Sequence, residues 1–68
     1  MTELFPQRLQ ELRKRRKIAR STLSELCGLS KNVVGRYERG EARPSIEAAA
    51  QLADFFGVSM DYLCGVGS

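Results

Sequence analysis

Histidine and tryptophan are missing from this 68-residue chain, and cysteine, methionine, proline and tyrosine occur only twice each. Without histidine there is no Ser-His-Asp or Cys-His catalytic group, no Cys2His2 zinc finger and no imidazole pH switch. The two cysteines, Cys27 and Cys64, cannot close a zinc site, and small domains that depend on disulfides usually carry more of them. Each lies in or beside an apolar segment of helical character, so both are expected as buried reduced thiols, which fits a cytoplasmic setting. No stretch approaches the roughly 18 continuous apolar residues of a membrane span. Residues 1–7 have neither the basic nor the apolar region of a secretory signal. Length removes a further class, because a chain this short buries only about 60% of the surface its unfolded form exposes. One thin core results, with little room for an enclosed substrate pocket. No metal, cofactor or small-molecule ligand is implied, and the chain is not expected to be an enzyme.

What the chain does have is basic charge, placed unevenly. Its formal charge is +3, yet all eleven Lys and Arg lie between Arg8 and Arg43, opposed there only by Glu11, Glu25, Glu38 and Glu41, a local balance of +7. The other acids, Glu3, Glu47, Asp54 and Asp61, flank that window. A polyanion is the economical partner, since lysines and arginines that neutralise phosphates release condensed counterions. A plainly solvated basic surface is the other reading.

Apolar residues recur at helical spacing and no segment alternates with period two, which predicts an all-α domain of five short helices. In the first, Phe5, Leu9 and Leu12 share a face, Pro6 marks the opening turn, and the run Arg13 to Lys17 covers the end, where cations suit the helix dipole. The second begins near Ala19 or Arg20, carries Leu23, Leu26 and Cys27 as its core stripe, and stops at Gly28. Ser30 is expected to cap a third helix running to about Arg39, only three residues beyond the second, with Val34 and Tyr37 inward and a polar, basic outer surface ended by Gly40. Ser45 caps a fourth, with Ile46, Ala49, Ala50, Ala53 and Phe56 as its stripe, and Gly57 closes it. Ser59 caps a fifth holding Met60, Leu63 and Cys64. Residues 1–65 are read as one domain and 66–68 as a disordered tail or truncation point.

Two helices joined by a short glycine-containing turn, the second with a basic outer face, match the helix-turn-helix plan. Ser24 is small enough for close helix approach, Gly28 permits a positive φ in the turn, and Val34 with Tyr37 pins the second helix to the first. Arg8 to Gly65 resembles the Cro and repressor type of helix-turn-helix domain, found in lambdoid phage repressors and the xenobiotic-response-element family of bacterial regulators. The resemblance is carried by Arg8-Leu9-x-x-Leu12-Arg13, Gly28-Leu29-Ser30, Arg36-Tyr37-Glu38-Arg39-Gly40, Pro44-Ser45 and Phe56-Gly57-Val58-Ser59-Met60-Asp61-Tyr62-Leu63. It implies a lambda repressor-like five-helix bundle whose third helix enters the DNA major groove, usually as one half of a homodimer on a palindromic operator.

Carried over by position, the resemblance implies base contacts from Lys31, Asn32 and Arg36. Their chemistry agrees, because Lys and Arg donate to guanine O6 and N7 while Asn pairs with adenine. The alternative for Lys31 is a phosphate contact or a solvated lysine at the helix start, and Val33 reads as either a thymine-methyl contact or a packing residue. The same resemblance points to Arg20, Ser21, Ser30, Arg39 and Arg43 for phosphates. Arg20 departs from the family, which usually has glutamine there after a capping Ser or Thr, here Ala19. Gly35 is a second departure from helix preference, at about 1 kcal/mol relative to alanine. The family pattern further implies a partly buried ion pair between Arg13 and Glu38.

The function implied is sequence-specific recognition of double-stranded DNA by a transcriptional regulator, a bacterial or phage repressor. The rival reading is a protein-interaction adaptor on the same scaffold, which has no need of contiguous Lys31, Asn32, Arg36, Arg39 and Arg43, or an antitoxin, which binds both DNA and toxin and normally needs extra sequence to do so. A carboxylate site of Glu47, Asp54 and Asp61 is a distant third, since these fall on outer helical faces. The dimer surface is expected around Phe55, Val58, Met60 and Tyr62, where basic residues are lacking and apolar ones recur.

Overall fold

Apolar stripes at helical spacing close over one another in a computed structural model that describes residues 4–65. The helices are α1 (Leu4–Arg16), α2 (Arg20–Leu26), α3 (Val33–Glu38), α4 (Ile46–Phe56) and α5 (Met60–Cys64), with no strand among the described residues. The tail expected at residues 66–68 lies outside them, as do residues 1–3. Leu9, Leu23, Val34, Leu52 and Leu63, one from each helix, are fully buried together. Phe5 meets Tyr37 edge-on at 5.5 Å between ring centroids, which ties the start of α1 to α3.

Two stripes are rotated from their expected positions. On α2 the inward face is Leu23, Ser24 and Cys27, and Leu26 is 60% exposed. The reason is that α3 packs on the Ser24 side, so the buried arc is centred between Leu23 and Ser24 and leaves Leu26 beyond its edge. On α4 the buried set is Ala48, Ala49, Leu52, Ala53 and Phe56, while Ala50 is half-buried and Ile46 is 80% exposed. Of the two thiols, Cys27 is buried as expected and Cys64 only partly so; both are free. Burial pushes the Cys27 thiol above its ordinary value.

Helix ends explain the connections. Ser45 and Ser59 accept the N–H groups of Ala48 and Tyr62, each at 3.0 Å, as N-caps should. At the end of α2, Gly28 (φ +69°) lets Leu29 N–H return to Ser24 O at 2.8 Å and Gly28 N–H to Glu25 O at 3.1 Å. The same closure ends α1, but with a lysine: Lys17 sits at φ 56°, its N–H bonded to Lys14 O at 3.0 Å and Ile18 N–H to Arg13 O at 3.5 Å. The turn between α2 and α3 is longer than expected, occupying residues 27–32. Ser30 does not cap α3 with its side chain; its carbonyl accepts Val33 N–H at 3.1 Å, and Asn32, the residue at the cap position, makes no side-chain cap bond.

Candidate nucleic-acid interface

The helix that carries the candidate contacts has only six residues, so its placement depends on neighbours. Val34 and Tyr37 bury its inner face. Its opening turn is capped from another helix: the buried Ser24 hydroxyl accepts Val34 N–H at 3.3 Å and donates to Arg20 O at 3.1 Å. Ser24 is therefore more than a small spacer, and it supplies the acceptor that neither Ser30 nor Asn32 provides.

Glu38, at the other end of α3, anchors the helix to α1 and α2. Its carboxylate accepts Arg13 Nε at 2.6 Å and Nη2 at 3.2 Å, and Arg20 Nε at 2.9 Å. Arg13 Nη1 also donates to Ile18 O at 2.8 Å. The Glu38 and Arg13 side chains are 2% and 9% exposed, so this is a buried pair with a half-exposed third member, Arg20. The substitution of arginine at the position where the family usually has glutamine thus acquires a role that spacing alone did not show. Arg20 is fixed through Nε while the rest of its guanidinium stays at the surface.

Gly35 sits beneath two of these side chains. A Cβ there would lie 3.2 Å from Arg39 Nη1 and 3.4 Å from Arg20 Cδ, so the absent side chain lets both arginines lie across α3. Around that floor Arg20, Ser21, Lys31, Asn32, Arg36 and Arg39 line one open concavity of roughly 600 Å³. Among the described residues Lys31, Arg36 and Arg43 form no ion pair. Arg39 is held differently, donating from Nε and Nη2 to the two Glu41 oxygens at 3.0 and 3.2 Å, with both side chains more than half exposed. That hydrogen bond, followed by the Arg39 charge, holds the Glu41 carboxyl below the ordinary carboxylate range. The reciprocal bond and charge hold Arg39 further toward its protonated form.

Six of the nine candidate contacts are therefore brought together, and three are not. Val33 is half-buried and packs against the core. Ser30 is exposed in the preceding turn. Arg43 is exposed and lines a separate, largely apolar concavity with Phe5, Pro44, Ile46 and Met60. Lys31 and Asn32 precede α3 and are presented by the turn.

On the face expected to dimerise, Phe55, Val58 and Met60 are partly buried against the core and Tyr62 is 40% exposed. Two α1 arginines cover part of it. Arg8 lies 4.4 Å over the Tyr62 ring and donates to Tyr62 O, and Arg16 lies 5.2 Å from the Phe55 ring centroid and donates to Phe55 O at 3.3 Å. The apparent division into basic and acidic halves is thus bridged in the folded molecule.

Fold and surface together define a five-helix, repressor-like domain in which α2 and α3 form a helix-turn-helix with a basic outer face. A Helix-turn-helix family model matches residues 9–63, and the chain belongs to that family. It is 43% identical over 58 residues to the HTH-type transcriptional regulator AnsR of Bacillus subtilis, covering 85% of this chain and 50% of AnsR. The chain therefore spans about half the length of that curated relative. Among solved structures it is similar to the restriction-modification controller protein C.AhdI from Aeromonas hydrophila, with a TM-score of 0.79, 36% identity, and 87% of this chain and 89% of that chain covered. It is also similar to the DNA-binding domain of the P22 C2 repressor, with a TM-score of 0.81, 32% identity, and 93% and 83% of the two chains covered.

Proposed function

We propose that this domain reads double-stranded DNA sequence-specifically as part of a transcriptional regulator, acting as a repressor by occupying operator DNA. The observation that carries the reading is the concavity at the α2–α3 edge, where Arg20, Lys31, Arg36 and Arg39 converge with Asn32 around the glycine floor of α3. Lys31 and Arg36 are free to donate to guanine, Asn32 offers an amide to adenine, and Arg20 and Ser21 at the start of α2 face the backbone. The names of AnsR and of the P22 C2 repressor support the same class. No catalytic step is part of this reading.

The working form is a homodimer on a palindromic operator, with the Phe55 to Tyr62 face as the contact, in the cytoplasm. Among the described residues no helix is long and apolar enough to cross a membrane. An adaptor role is less favoured, because a surface that only binds protein gains nothing from unpaired Lys31 and Arg36 beside an exposed amide. Selection of bound duplexes from a random double-stranded library tests the reading and delivers operator sequence, half-site spacing and symmetry together. Enrichment of a defined motif, with affinity falling steeply as salt rises, is the expected result. Absence of any enriched motif, or salt-insensitive binding, would sink it.

A further inference from the structure

The basic concavity contains two arginines that already hold carboxylates, Arg20 on Glu38 and Arg39 on Glu41. Arg39 gives Nε and Nη2 to the two oxygens of Glu41, at 3.0 and 3.2 Å, while its Nη1 lies over Gly35 at the floor of the concavity. This two-point grip is the geometry arginine uses for a phosphate as well as for a carboxylate. The pair is 57% and 53% exposed, so neither side chain is locked by packing and the carboxylate can be displaced. Glu38 makes the contrast. It also binds an arginine of the concavity, Arg20, but it is 2% exposed and holds only Nε, which leaves the remaining guanidinium nitrogens free. One buried carboxylate therefore holds an arginine from beneath, and the other, exposed, covers an arginine from outside.

We propose that Glu41 is an affinity-determining residue that occupies the phosphate-binding edge of Arg39 and must be displaced by a DNA phosphate when the domain binds. This rests on the DNA-binding reading above. Glu41 imitates the phosphate it competes with, so it lowers affinity for every duplex alike and leaves base preference unchanged. Arg39 neutralises one phosphate with or without Glu41, so removing Glu41 spares the cost of breaking the pair and leaves the number of neutralised phosphates unchanged. Lys31, Arg36 and Asn32, which have no such cover, keep the reading of sequence.

The test measures binding of a fluorescently labelled duplex of arbitrary sequence to wild type, Glu41→Gln, Arg39→Ala, the double variant and Glu47→Gln across a range of sodium chloride. Glu41→Gln is expected to bind about two- to fivefold more tightly, as an exposed pair allows. Its log–log salt slope should stay close to that of wild type, since Arg39 meets one phosphate in both. The gain should vanish in the Arg39→Ala background, and Glu47→Gln, which removes an acid of α4 away from the concavity, should show none of it. An unchanged or weaker Glu41→Gln overturns the proposal. A gain that persists undiminished without Arg39 overturns it too, since the acid would then act only through net charge. NMR of the Arg39 Nε–H in the free protein separates the two levels of the argument. A shifted resonance that Glu41→Gln abolishes upholds the pair even if no duplex binds, in which case the DNA-binding reading falls; an unaffected resonance removes the pair itself.

Discussion

The Ser24 hydroxyl, fully buried on α2, accepts the backbone N–H of Val34 on α3 at 3.3 Å and donates its own O–H to Arg20 O at 3.1 Å. One short side chain thereby closes the opening turn of the helix that carries the candidate base contacts. Ser24→Ala removes the acceptor and leaves the Val34 N–H buried without a partner, a loss of about 1–3 kcal/mol. In a domain of this size each kcal/mol moves the melting temperature by roughly 4–8 °C. Circular dichroism melts should show that fall, and a variant that melts with wild type would mean the α3 turn is capped some other way.

How far the sequence anticipates the structure depends on whether a residue's role is local. The caps at Ser45 and Ser59 and the stop at Gly28 are legible because each acts within its own helix. The stripes of α2 and α4 are not read correctly at Leu26 and Ile46, because periodicity gives the pitch of a face but not which neighbour it will meet. In the interface, Lys31, Asn32 and Arg36 are legible from position and chemistry. The third member of the Glu38 cluster, the Ser24 cap and the cover of Glu41 over Arg39 arise from side-chain placement in three dimensions. The clue for the last was available in the sequence: an acid two residues beyond an arginine, across a glycine that bends the chain back.

The Glu38 cluster makes a sharper claim about stability. Glu38→Gln leaves Arg13, 9% exposed, without a counter-charge, and losing one partner of a buried pair costs about 3–5 kcal/mol. A domain this small rarely has more than about 3–5 kcal/mol in total, so this variant should be largely unfolded at 25 °C. Arg20→Ala removes only the half-exposed member and should cost about 0–1 kcal/mol. Far-ultraviolet circular dichroism distinguishes the two. A folded Glu38→Gln with an ordinary melt would show that the pair is not needed.

Lys17 offers a change in the opposite direction. Its φ of 56° lies in the left-handed region, which costs an L-residue about 1–2 kcal/mol, whereas glycine reaches it freely and gives back part of that gain in unfolded-state entropy. Lys17→Gly is therefore expected to stabilise the domain by about 0.5–1 kcal/mol, read as a higher denaturant midpoint at unchanged slope. A lower midpoint would mean that the lysine side chain makes a compensating contribution at the end of α1.

Arg36 and Arg43 divide the two ways of binding DNA. Arg36 lies in the concavity beside Asn32 without an ion partner, whereas Arg43 stands outside it, beside Pro44 and Ile46. Arg36→Ala should lose about 1–3 kcal/mol on the selected operator and relax preference at one base position, with little change on an arbitrary duplex. Arg43→Ala should weaken both duplexes alike and reduce the salt slope by about one. Binding isotherms on the selected operator and on a scrambled duplex, each at several salt concentrations, separate these outcomes. If Arg36→Ala weakens both duplexes equally, its guanidinium contacts the backbone, and base reading must rest on Lys31 and Asn32 in the turn that precedes α3.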